Sequence, residues 1–148
     1  MAAGSGGLMP NAREILKIGL GVTDADRLLE VRKRGTVKYI LPGGKREEGE
    51  SDVETLVREI DEELGCQLRS ETIVFLGCFS DAAADMDNTA VTVRLYAAQH
   101  IGEPSPRSEI ENLKWFSPDT ENSSILAPSL ENQIVPSLSA WGHLTRKP

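Results

Sequence analysis

The chain has 148 residues, of which 39% are apolar and 26% charged, which suits one compact domain with its own core. Its net charge of -7 argues against nonspecific nucleic-acid binding by counterion release, and no stable nucleic-acid complex is expected. An acidic total does not exclude a nucleotide ligand, because a bound metal inverts the local charge.

No apolar run reaches the length of a membrane span, so no membrane partner is expected. Residues 1–10 are small and Gly-rich, without the basic start and apolar centre of a signal peptide. They read as a disordered leader ahead of a single domain over 11–148. Cys66 and Cys78 lack the further thiols or close histidine that zinc needs, so both read as buried small hydrophobes, in keeping with a reducing cytoplasm. Asn122-Ser123-Ser124 matches a glycosylation acceptor and carries no weight without a signal peptide.

Ile15 to Val22 is rich in β formers and predicts the first strand, followed by a turn at Thr23 to Asp26. Leu28 to Arg32 predicts a second strand, and Gly35 turns the chain into a third, Val37 to Leu41. Pro42-Gly43-Gly44 ends it, and Lys45 to Glu50 is a loop whose last residue, or Ser51, caps a helix. In that helix Val53, Leu56, Val57, Ile60 and Leu64 recur at i, i+3, i+4 and i+7. They span an arc of about 100°. Glu59, Glu62 and Glu63 fill the neighbouring arc, and Asp52 and Glu54 favour the positive end of the helix dipole. Gly65 stops the helix.

Further on, Ile73 to Phe79 and Ala90 to Gln99 read as strands joined by the acidic loop Ser80 to Thr89. Gly102 to Ser108 is a Pro-containing loop, and Leu113 to Phe116 a short strand. Ser129 to Trp141 predicts a terminal helix, ended or kinked near Pro136. Interleaved strands and helices with hairpin-like neighbours indicate an α/β domain with a mixed sheet covered by helices.

Three carboxylates on one helical face repel one another unless a cation sits among them, so the helix suits a hard divalent metal. The alternative is a solvated acidic face. The spacing decides between them. Gly44, Glu50, Arg58, Glu59, Ile60, Glu62, Glu63 and Gly65 stand at the intervals of the Nudix hydrolase signature, which this chain resembles over 23 residues. Only Cys66 departs, where Ile, Leu or Val is usual. The resemblance, to MutT-like members, implies an α/β/α sandwich with a mixed sheet. It implies a Mg²⁺ site (Mn²⁺ as a substitute) made by Glu59, Glu62 and Glu63 with a backbone carbonyl of Gly43 or Gly44. It also implies that Arg58 braces the loop by pairing with Glu50.

The implied reaction is attack of water on a nucleoside diphosphate linked to another group. A (deoxy)nucleoside triphosphate giving monophosphate and pyrophosphate is preferred, because the chain lacks the extra N-terminal domain common among nucleotide-sugar hydrolases. ADP-ribose, a dinucleoside polyphosphate, an RNA 5′ end, or a non-catalytic nucleotide sensor are the alternatives. Glu59 or Glu62 would serve as general base, or a glutamate from a later loop, for which Glu109 is the candidate ahead of Glu103 and Glu111. Arg32 and Lys38 are candidates for substrate phosphate contacts, against a plain solvated hairpin. Trp115, Phe79 and Tyr39 would stack on a base if they were not in the core. His100 and His143 read as surface or structural residues. Asp85 and Asp87 lie in a loop that could close over substrate, and a homodimer is compatible with the chain.

Overall fold

The computed structural model describes residues 12–144, and the expected leader at 1–10 lies outside them. β1 (Arg13–Gly21), β2 (Thr23–Asp24), β3 (Arg27–Lys33) and β4 (Gly43–Gly44) precede helix α1 (Asp52–Leu64). After it come β5 (Gln67–Leu68), β6 (Val74–Ala82), β7 (Thr89–Ala97), β8 (His100–Ile101), β9 (Ile110–Phe116) and helix α2 (Val135–Ala140). One sheet runs β4-β1-β7-β6 and a second β2-β3-β9, while β5 and β8 form a small pair. β1 lies parallel to β7 and antiparallel to β4, so the larger sheet is mixed.

Strand alternation sends side chains to two cores. Leu29 and Val31 of β3 join Ile18, Leu20, Leu56, Ile60 and Leu64 in the core under α1. Leu28 joins Val93, Leu95, Phe116, Leu126, Ile134 and Leu138 in the core under α2. Helices thus cover different faces of the sheets, giving the layered α/β sandwich.

The apolar stripe explains α1. Leu56, Ile60 and Leu64 are fully buried, whereas Val53, at the helix start, is 40% exposed. Ser51 is the N-cap. Its hydroxyl accepts the Glu54 N–H, and the Glu54 carboxylate accepts the Ser51 N–H in return, a capping box. Gly65, with φ +69°, is the left-handed C-cap.

Three expected elements differ. Val37 to Leu41 is no continuous strand. Its backbone splits between partners, Tyr39 bridging to Leu126 and Ile40 to Val31, while the Val37 and Lys38 N–H groups both donate to the Asp85 carboxylate. The hairpin loop after β6 is shorter than Ser80 to Thr89, because the ladder continues to Ala82 opposite Ala90. The terminal helix begins one residue later as a wide turn, Leu130–Ile134, before becoming α-helical at Val135. Pro136 has no N–H to offer, and the Val135 N–H donates back to the Leu130 carbonyl, an i→i+5 bond.

Candidate active site

The glycine turn and α1 meet at one end of the larger sheet. β4 places Gly43 beside Gly19 and Gly44 beside Ile18. Gly43 has φ +139°, and a Cβ there would fall 2.0 Å from the Ile18 carbonyl oxygen, so only glycine fits. A Cβ on Gly44 would fall 2.4 Å from the Glu59 carboxylate. The glutamate therefore rests directly on the backbone of the turn.

The acidic face divides by burial. Glu63 is buried, and its carboxylate accepts the Gly43 N–H at 3.0 Å. Burial pushes its pKa up to about 7, against the pull of Lys17 and of the Gly43 hydrogen bond. Glu59 is also raised, first by desolvation, while Arg58 draws it down. Glu62 is half exposed and touches Arg58 only at 3.4 Å. Among the described residues no three acidic, His or Cys side chains gather into a ready cage. Arg58 bridges two of the three glutamates: its Nη1 donates to Glu59 at 3.0 Å and lies 3.4 Å from Glu62.

Arg58 also braces the loop. Nε donates to Glu50 Oε2 at 2.6 Å and Nη2 to Glu50 Oε1 at 2.9 Å, a two-pronged contact, and Nη2 reaches the Lys45 carbonyl at 3.2 Å. Glu50 further accepts from the Glu47 N–H and the Thr55 hydroxyl. The Arg58 hydrogen bonds hold the Glu50 carboxyl down at about 2.

A pocket of about 580 Å³ opens beside this head. Gly43, Gly44, Lys45, Glu47, Arg58 and Glu59 line the head end. Ile15, Ile40, Leu41, Val91, Val93 and Leu130 line an aliphatic chamber beyond it. Glu109, on the loop before β9, faces the pocket with its carboxylate 3.5 Å from Lys33 Nζ. Lys38 lines it too and donates to the Ser124 carbonyl. Arg32 does not line it: its guanidinium is taken by the Thr36 carbonyl at 2.9 Å and by Glu111 at 3.7 Å. The β3–β9 ladder slips at the Arg32/Lys33 step, and Lys33 faces the pocket instead.

Among the described residues no aromatic ring lines this pocket. Trp115 packs against the core under α1 with Arg27 over its ring, Phe79 leans on Trp141, and the Tyr39 hydroxyl accepts from Asn112. Glu103 is also absent from the pocket lining. Sequence reading missed Lys17. It sits in the predicted first strand, and only the pairing of β1 with β7 turns it into the pocket beside Val93. The signal was present as a lone charge between Leu16 and Ile18 in an otherwise apolar run.

The family model described as the NUDIX domain matches residues 17–137. The chain belongs to the Nudix family. It is an enzyme of the Nudix hydrolase class, which acts on nucleoside diphosphates linked to other groups. No curated protein matches it. A NUDIX hydrolase from Nitrosomonas europaea shares the fold with a TM-score of 0.70 and 23% identity, covering 87% of this chain and 90% of that one. A MutT NUDIX hydrolase from Burkholderia pseudomallei is 26% identical with a TM-score of 0.62, over 74% of this chain and 88% of its own. A bifunctional NMN adenylyltransferase/ADP ribose pyrophosphatase from Francisella tularensis, complexed with AMP and a Mn ion, has a TM-score of 0.62 and 20% identity, over 90% of this chain and 43% of that one. The matched span of this Nudix domain includes the glycine turn, α1 and the whole pocket lining except Ile15. No helix among its described residues is long and apolar enough to cross a membrane.

Proposed function

We propose that this Nudix domain hydrolyses a (deoxy)nucleoside triphosphate to the monophosphate and pyrophosphate, using Mg²⁺, with Mn²⁺ able to replace it. The observation that carries the proposal is the contact of Glu59 with the Gly44 backbone at the head of an open pocket. The donor set fits a hard cation. Carboxylates of Glu59, Glu62 and Glu63 and a carbonyl of Gly43 or Gly44 are all oxygen ligands, and burial disfavours the bare charges of Glu59 and Glu63, a cost that a bound cation offsets. When bound, the metal supplies neutralisation of phosphate charge and a more acidic water.

The chain's own residues do the rest. Arg58, locked to Glu50, holds the loop against α1 so that Glu59 keeps its place. Glu109 stands at the pocket, free of core packing, where it takes the proton of the attacking water; Glu59 or Glu62 would take that role if it does not. Lys38, which also lines the pocket, meets phosphate oxygens. A single domain over 11–148, at work in the cytoplasm, goes with this reading.

Two glutamine variants test it. Glu59→Gln and Glu62→Gln are each expected to lower kcat for a nucleoside triphosphate by at least about 100-fold while the melting curve is retained. A phosphate-release screen with Mg²⁺ compares the triphosphates with ADP-ribose, dinucleoside polyphosphates and capped or triphosphorylated RNA ends. Turnover of one of these in place of the triphosphates would reassign the substrate, and nucleotide binding without turnover would make the domain a sensor.

A further inference from the structure

Among the described residues six basic side chains line the pocket, and they differ in what already holds them. Arg58 is committed to Glu50, Arg46 to Asp52 at 3.2 Å, and Lys33 to Glu109 at 3.5 Å. Lys38 reaches across to the Ser124 carbonyl, and Lys45 lies exposed on the loop. Lys17 is unlike all of these. It is partly buried at the pocket floor, and its ammonium donates to the Leu41 carbonyl at 2.5 Å. Among the described residues it forms no ion pair.

An ammonium carries three donors, and Leu41 accepts one. Withdrawing such a charge from water without a bonded anion costs free energy, so its retention calls for a partner. Glu59 and Glu109 line the pocket with Lys17, and the charges of Glu63, Glu59 and Glu109 favour its ammonium while Lys33 opposes it. Glu63, whose charge acts on Lys17 most strongly, forms no ion pair with it, and one Glu63 oxygen accepts the Gly43 N–H. Along β1, Ile15 pairs with Val91 and Lys17 with Val93, and all four line the pocket. Lys17 therefore stands at the join between the aliphatic chamber and the Gly43–Glu59 head. A substrate with its diphosphate at the head and its remaining group in the chamber must pass this point.

We propose that the Lys17 ammonium is a direct ligand of the substrate's phosphate chain, set at the floor of the pocket between the glutamate head and the aliphatic chamber. The proposal rests on the hydrolase reading above for the identity of the anion. Among the described residues the pocket has no aromatic ring to grip a base, so cationic contacts to phosphate carry a larger share of binding.

The test uses the full chain as wild type, Lys17→Met and Lys17→Arg. With saturating Mg²⁺, Lys17→Met is expected to raise KM for a nucleoside triphosphate by at least about 10-fold, and Lys17→Arg to recover part of the loss. Binding of inorganic tripolyphosphate in EDTA should weaken by a similar factor in Lys17→Met. Mn²⁺ affinity of the substrate-free protein, read by paramagnetic titration, should stay within about 2-fold. Tighter Mn²⁺ binding with an unchanged KM would make Lys17 an internal counter-ion of Glu63 and overturn the proposal. Equal tripolyphosphate binding by both proteins, or none by wild type, would overturn it as well. If wild type cleaves no phosphoanhydride, the hydrolase reading fails, and the tripolyphosphate comparison still decides Lys17.

Discussion

Glu30 is a buried carboxyl that costs the fold stability. It is fully buried on β3, facing the same side as Leu28, and neither carboxylate oxygen has a hydrogen-bond partner. Desolvation, with the Glu121 charge adding to it, raises its pKa to about 9 against an ordinary 4.5, and Lys114 offsets only part. Between those values the folded protein keeps a proton that the unfolded chain releases, so Glu30 lowers stability as pH rises from 4.5 towards 9. Glu30→Gln cannot ionise. It should melt like wild type near pH 4 and at least about 5 °C higher at pH 8, by calorimetry at both pH values. A pH-independent difference would show that ionisation of Glu30 is not the cause. Single residues also show where sequence reading stops. Glu59 and Glu109 were legible as pocket candidates from motif spacing and position, but Arg32 and Lys17 were not. Which of several cations faces a pocket depends on ladder register and strand partners, and neither is written in local residue order.

Among elements, the glycine turn at β4 and helix α1 are the pair that shapes the site. The two glycines of the turn are required for different reasons. At Gly43 an added methyl meets backbone, the Ile18 carbonyl, at a φ of +139°. At Gly44 it meets the carboxylate end of Glu59, which can swing aside. Gly43→Ala should therefore cost about 2–4 kcal/mol of stability, while Gly44→Ala should fold normally and lose most of its kcat. Chemical denaturation and steady-state kinetics on both variants separate the effects; equal stability loss in the two would contradict the geometry. Helix α1 was readable almost to the residue, because cap, stripe and terminal glycine agree. Val37 to Leu41 was not, since its β-forming residues divide their hydrogen bonds between β3, the Leu126 segment and the Asp85 carboxylate. The short strands β4, β5 and β8 left no periodic trace in so few residues.

At the scale of the molecule, a mixed sheet covered by helices followed from the alternation of β-rich and helical segments, and the layered sandwich agrees. The division into two sheets did not follow, because parallel pairing of β1 with β7 joins residues far apart in sequence. The bracing of the loop to α1 reaches beyond chemistry. Lys45 and Arg46 lie exposed in that loop, an inviting stretch for trypsin, yet Arg58 grips the Lys45 carbonyl and the Glu50 carboxylate on either side of it. A protease must draw several residues of backbone into its cleft as an extended strand, which the pinned loop resists. Wild-type chains should thus survive limited trypsin digestion at this point, and Arg58→Met should release two fragments parting near residue 46, seen by mass spectrometry. The same guanidinium that contacts the carboxylates would then also shield the chain from being nicked at this exposed basic stretch.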